Sequence, residues 1–161
     1  MVWMLINFLK FRCMVAGADW EVSNMNMFLK ILTRLANPFY CFNHIYSLFF
    51  ALRFNHCGSG FRAIYPLVVK GEKSIKIGEN CSLSGANYLF ANDGGYLSIG
   101  DNYPINTNVQ LGASGGRIVI GDNVLIAPKD VVRAAYHGIA RDGPIRFQPH
   151  TSGEIIIEDD C

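Results

Sequence analysis

Ile118-Val119-Ile120-Gly121-Asp122-Asn123 is the third appearance of one phrase in this chain. It occurs earlier as Leu97-Ser98-Ile99-Gly100-Asp101-Asn102 and, before that, as Ile75-Lys76-Ile77-Gly78-Glu79-Asn80. An altered copy, Ile155-Ile156-Ile157-Glu158-Asp159-Asp160, stands near the C-terminus. After each of the first three copies an aliphatic residue returns at every sixth position. The series are Ile77, Leu83, Leu89; Ile99, Ile105, Leu111; and Ile120, Ile126, Val132. A six-residue period matches neither one face of a lone helix nor the alternation of a hairpin strand. It matches a solenoid of short strands, mainly β, with aliphatic side chains stacked inward coil upon coil. Such a scaffold is rigid, so residues that interrupt the pattern are the first place to look for function.

Successive Ile-Gly pairs lie 22 residues apart (77 to 99) and then 21 apart (99 to 120). Three faces of six leave a few residues per coil for corners. Gly94-Gly95 and Gly115-Gly116 supply turns, because Gly accepts positive φ at little cost. Asn80, Asn102 and Asn123 are read as corner residues, since Asn tolerates left-handed backbone and bonds nearby amides. The next spacing is 37 (120 to 157). The excess is a loop, roughly Tyr136 to Gly153, that leaves the scaffold between two coils.

At 161 residues the chain allows one domain and an appendage. Charged residues make up 17% and the formal net charge is +1, with no long basic run, so nothing points to nucleic acid. The five cysteines (Cys13, Cys41, Cys57, Cys81 and Cys161) are odd in number and contain no C-x-x-C pair. That argues against a disulfide framework and a zinc knuckle, and for reduced thiols in a cytoplasmic setting. Lys10 and Arg12 follow the first apolar stretch instead of preceding it, unlike a signal peptide. No apolar run reaches the ~18–20 residues of a spanning helix.

Residues 1–56 read as a helical N-terminal segment, and 1–24 as an upstream extension, with Met25 and Met27 at the head of a cleaner stretch. Residues 25–36 place Asn26, Lys30, Thr33 and Arg34 on one helical face and Phe28, Ile31, Leu32 and Leu35 on the other. Asn37-Pro38 ends that helix, and a second runs from Phe39 to Arg53. The segment either caps the first coil or lies on a membrane surface through 25–53. Cys57-Gly58-Ser59-Gly60 reads as a flexible joint leading into a solenoid domain over 57–161.

The interrupting loop gathers His137, Arg141, Arg146, Gln148 and His150 in a chain otherwise poor in polar side chains. Loops on a rigid scaffold are where function concentrates. His137 follows the last strand directly, a fixed position for a group that exchanges a proton near neutrality. His150 is a candidate substrate contact or a solvated histidine. Arg141, Arg146 and Gln148 suit a sugar or a cofactor phosphate, or solvent. Tyr136 lines the same loop.

The repeated Ile-Gly-x-Asn units, Ile120-Gly-Asp-Asn-Val-Leu-Ile-Ala-Pro128 and Tyr136-His137-Gly138 together resemble the hexapeptide-repeat acyltransferases. Within them the likeness is greatest to maltose, galactoside and surface-polysaccharide O-acetyltransferases, over about Cys57 to Cys161. The resemblance implies a left-handed parallel β-helix, usually a homotrimer. It implies acetyl-CoA as co-substrate, no metal, and a sugar or polysaccharide-precursor acceptor. It implies His137 as the general base for direct transfer, and Asn108, with Asn106 as the alternative, as a group that positions the acceptor or steadies the oxyanion. The family phrase continues into Trp-Ile-Gly and further coils that supply much of the acetyl-CoA groove. The expectation is therefore an incomplete copy with little turnover, or an inactive scaffold. A zinc hydratase would need three imidazoles, and the repeat region carries only His137 and His150.

Overall fold

The structure is a computed structural model that describes Leu29, Lys30, Leu32 and residues 37–161. The expected extension over 1–24, and the expected helix over 25–36 apart from those three residues, lie outside the described residues. The chain divides into two compact units after Cys41. Helix α1 spans Pro38–Ala51. Asn37 is its cap: its Oδ1 accepts from the backbone N–H of Phe39 at 3.0 Å and of Tyr40 at 3.4 Å, and Pro38 occupies the first helical position. Among the described residues no helix is long and apolar enough to cross a membrane.

The remainder is mainly β, a parallel solenoid of about four turns. Coil one holds β1 (His56–Cys57), β2 (Arg62–Ala63) and β3 (Leu67–Lys70). Coil two holds β4 (Ile75–Ile77), β5 (Ser82–Leu83) and β6 (Asn87–Phe90). Coil three holds β7 (Tyr96–Ile99), β8 (Pro104–Ile105) and β9 (Gln110–Gly112). Coil four holds β10 (Arg117–Ile120), a single bridge at Ile126, and β11 (Val131–Arg133). A ribbon of β12 (Ala135–His137) and β13 (His150–Ser152) follows, then β14 (Glu154–Ile157) opens the next coil. The strands stack into parallel sheets ordered β1-β4-β7-β10-β14, β2-β5-β8 and β3-β6-β9-β11.

The six-residue series forms the core. Ile77, Ile99, Ile120 and Ile157 align coil on coil, and so do Leu89 and Leu111. Ile75, Ile77, Leu83, Leu89, Leu97, Ile99, Ile105, Leu111, Ile118 and Ile120 are all buried. Burying each such side chain is worth roughly 1.5–3 kcal/mol, which explains why the chain tolerates so few charges inside. Among the described strand residues one buried position is polar. Asn87 is buried, with Nδ2 donating to the Ser84 carbonyl and Oδ1 accepting from Val109 N–H at 2.8 Å. Both ends of that amide are satisfied, so its burial is tolerated.

The repeated phrase works as a clamp between coils. Its Gly donates N–H to the Ile carbonyl of the next coil: Gly78 to Ile99 at 2.9 Å, Gly100 to Ile120 at 2.9 Å, Gly121 to Ile157 at 2.8 Å. Its acid accepts from the backbone of the coil before. Asp101 Oδ1 takes Glu79 N–H at 2.7 Å, Asp122 takes Asp101 N–H at 2.7 Å, and Asp159 takes Asp122 N–H at 2.8 Å. Its Asn turns the corner, with φ of 54°, 54° and 55° at Asn80, Asn102 and Asn123. The Asn amides also form a ladder that ends with Asn123 Nδ2 donating to Asp160 Oδ1 at 3.1 Å. The altered copy at 155–160 thus keeps the acid and the left-handed corner, and puts Glu158 in place of the Gly and Asp160 in place of the Asn.

Cys57 to Gly60 is not a joint. These residues are the first strand and corner of coil one, and Gly58 N–H donates to the Ile77 carbonyl at 2.9 Å. A Cβ on Gly58 would stand 2.5 Å from Glu79 N. Glycine is there for close stacking, not for flexibility.

Helix α1 covers the open side of coil one. In a coil with no predecessor, strand N–H groups lack partners. Side chains of α1 take their place: Ser47 Oγ accepts from Ala63 N–H at 2.8 Å, Tyr46 OH from Leu67 N–H at 2.8 Å, and Asn43 Oδ1 from Tyr65 N–H at 3.3 Å. Tyr46 packs edge-on against Phe50, and Phe50 stacks on Phe54. The opposite side of α1 leaves Ile45, Leu48 and Phe49 exposed, and Leu52 just past its end is exposed too.

Two predictions arise from the core. Tyr103 is fully buried and its hydroxyl has no hydrogen-bond partner. An unsatisfied buried hydroxyl costs about 1–3 kcal/mol. Tyr103→Phe is therefore expected to leave stability unchanged or raise it by about 1 kcal/mol in urea unfolding; a loss of that size would show that the hydroxyl is bonded after all. The second concerns thiols. Burial, reinforced by neighbouring Cys81, pushes the Cys57 thiol up to about 11, and burial also raises Cys81. Cys161 is exposed. Alkylation at mildly alkaline pH, mapped by peptide mass spectrometry, should label Cys161 well before Cys57 and Cys81, because the thiolate is the nucleophile. The folded Cys57 thiol keeps its proton to about 11 against an ordinary value of 9.0, so its contribution is constant below 9.0 and declines above it.

Candidate functional site

The excursion expected over 136–153 starts and returns at one corner of the solenoid. In coil three that corner is closed by Gly116 N–H donating to the Ala113 carbonyl at 2.9 Å. In coil four Gly153 N–H donates to the Ala134 carbonyl at 2.6 Å in the same way. Nineteen positions separate Ala134 from Gly153, where three separate Ala113 from Gly116. The coil is undisturbed, and everything between is inserted chain.

The two ends of the insert pair as a short antiparallel ribbon that carries the rest of the loop at its tip. Ala135, Tyr136 and His137 pair with Ser152, Thr151 and His150. Gly138 N–H donates to the Pro149 carbonyl at 3.0 Å. Hydrogen-bonded and open pairs alternate along such a ribbon. Ala134/Gly153 and Gly138/Pro149 are bonded, so His137/His150 falls on an open pair, where side chains lie closest. The two imidazoles meet edge to face, with ring centroids 4.1 Å apart and planes at 67°. Both are exposed.

The tip of the ribbon is braced by one side chain. Gln148 Oε1 accepts from Ala140 N–H at 2.7 Å, and its Nε2 donates to the carbonyls of Ala140 at 2.7 Å and Gly143 at 2.8 Å. Gly138 makes room for it, since a Cβ there would stand 2.8 Å from Gln148 Oε1. At the root, Arg117 pairs with Glu154 across β10 and β14. The histidine pair is therefore held from both ends.

The other sequence-derived candidates separate. Gln148 is committed to the loop backbone. Tyr136 is exposed, and strand alternation puts it on the ribbon face opposite His137. Arg146 lies over the Phe147 ring at 4.8 Å. Arg141 is exposed. Asn106 Nδ2 donates to the Ile126 carbonyl at 2.6 Å, tying coil three to coil four. Asn108 has φ 61° and turns the second corner, as Ala86 (63°) and Lys129 (71°) do in neighbouring coils. Its side chain is exposed. A hollow of about 420 Å³ on the first sheet, lined by Val119, Ile156 and Glu158 among others, carries no histidine.

Comparison of the chain with protein-family models, curated proteins and solved structures gave no match. The site rests on its own geometry. The pairing of His137 with His150 was the feature that reading residues singly missed. A signal was present: Tyr136-His137-Gly138 and Pro149-His150-Thr151 mirror one another around a polar, Gly- and Pro-containing stretch, as hairpin arms do.

Proposed function

We propose that the chain is a β-solenoid O-acetyltransferase that moves an acetyl group from acetyl-CoA to a sugar hydroxyl. His137 is the general base. Its free ring nitrogen takes the hydroxyl proton as that oxygen bonds to the acetyl carbonyl carbon. The thioester C–S bond breaks, and the proton passes to the departing thiolate, leaving coenzyme A and an acetylated sugar. No acyl-enzyme is needed when both substrates are held together.

The observation that carries this reading is the exposed imidazole of His137, held on a braced ribbon at the edge of a rigid solenoid. Arg141 and Arg146 are exposed cations suited to a cofactor phosphate, and Asn108 has an exposed amide to meet the acceptor or the oxyanion. A homotrimer and peripheral membrane contact through the exposed apolar side of α1 belong to the same proposal.

The test is release of free thiol from acetyl-CoA in the presence of a panel of sugars. Sugar-dependent release that requires His137 supports the reading. Release no faster than without protein overturns it in favour of an inert scaffold, and release that is independent of sugar, or equal in His137→Ala, overturns it as well.

A further inference from the structure

The close contact of the two imidazoles has a second chemical consequence, independent of acyl transfer. We propose that His137 and His150 form a two-imidazole site for a borderline divalent transition-metal ion of the Ni²⁺, Cu²⁺ and Zn²⁺ class, with water completing the coordination.

The geometry fits. Two nitrogens that bind one ion at ~2.0–2.1 Å each must come within roughly 3 Å of each other. The ring centroids are already 4.1 Å apart, and an open cross-strand pair fixes the two backbones at their nearest approach. The terminal torsion of each exposed ring is soft, so the rings can turn to aim a nitrogen of each at one point. The next open pair on the same ribbon face is Ala135/Ser152, whose side chains are small and leave room for water beside the rings. The frame is held by Gln148 at the tip and by Gly153 on Ala134 at the root.

The chemistry selects the ion. Two neutral nitrogen donors suit Ni²⁺, Cu²⁺ and Zn²⁺, whereas Mg²⁺ and Ca²⁺ demand oxygen. Among the described residues no group of three or more His, Cys, Asp or Glu is placed to hold a metal. The protein thus supplies two ligands, and the ion is exchangeable, not structural. An ion bound to both rings would occupy the lone pair that a general base uses. Where the acyl-transfer reading also holds, the metal is an inhibitor.

The experiment titrates Ni²⁺ into the intact chain at neutral pH by calorimetry, without substrate, so its outcome does not depend on acyl transfer. The expected result is one saturable site whose affinity falls at least about tenfold in His137→Ala and equally in His150→Ala. His56→Ala and Cys161→Ser should bind as the unaltered chain does. Both ring positions are exposed, and His137→Gln and His150→Gln replace the alanine variants if either fails to fold. Absence of saturable binding, loss in one histidine variant alone, or loss that follows Cys161→Ser overturns the proposal.

Discussion

Gly100→Ala is expected to destabilise the solenoid by about 3 kcal/mol or more, the range reached when a side chain is forced into fixed backbone. A Cβ on Gly100 would stand 2.6 Å from the Gly121 carbonyl and would strike the Asp122 carboxylate. The carbonyl belongs to the next coil, one residue beyond the Ile120 carbonyl that accepts from Gly100 N–H at 2.9 Å, so a shift there disturbs that hydrogen bond. Moving the carboxylate would break its 2.7 Å bond to Asp101 N–H. Either response damages the clamp at its centre, with coils on both sides. Gly94→Ala is the control. Gly94 has φ 76°, and no atom lies within 4 Å of the place its new methyl group would take. That variant loses only the backbone preference of glycine, about 1 kcal/mol. Urea unfolding followed by circular dichroism separates the two. Equal midpoints for the two variants would mean that the coils part easily and that the clamp is not what holds them.

On the proposed acyl-transfer reading, His137→Ala lowers whatever sugar-dependent thiol release the chain supports by about 10²–10⁴-fold, the usual worth of a positioned general base. An alcohol attacks a thioester poorly until its proton has an acceptor, and on the proposed reading His137 is that acceptor, held on the ribbon. The imidazole is exposed and outside the core, so the variant should unfold at the same urea concentration as the unaltered chain. Loss of activity with intact folding assigns the effect to chemistry. A drop of less than about tenfold would move the base elsewhere or remove general base catalysis from the reaction.

Much of the scaffold was legible because stacking imposes the same demand on every coil. Ile77, Ile99 and Ile120 recur at one phase since each must lie over the last. Gly94 and Gly115 at φ 76° and 70°, and Asn80, Asn102 and Asn123 near 54°, sit where a corner needs left-handed backbone. The Gly of the phrase was legible as a marker, but its cause was not. That cause is a carboxylate and a carbonyl from the neighbouring coil, about 21 residues away. Asn87 escaped for a similar reason: its partners, Ser84 and Val109, lie on different coils or corners. Cys57 to Gly60 was misread because two glycines look alike in a hinge and in a tight stack.

The site was legible only in part. Gln148 has the composition of a ligand-gripping residue, yet its amide closes the ribbon tip. Tyr136 and His137 are neighbours in sequence and face opposite ways, because they lie on a strand.

By itself the sequence determined the period, the inward columns, the corners and the place where the chain departs from the scaffold. Each of these repeats with the coil, and a repeated physical demand leaves a repeated residue. Only the tertiary structure decided that α1 supplies the hydrogen bonds a preceding coil would have made, and that His137 faces His150 across an open pair. Those contacts occur once, between segments whose separation along the chain carries no period, so they are set by register in three dimensions.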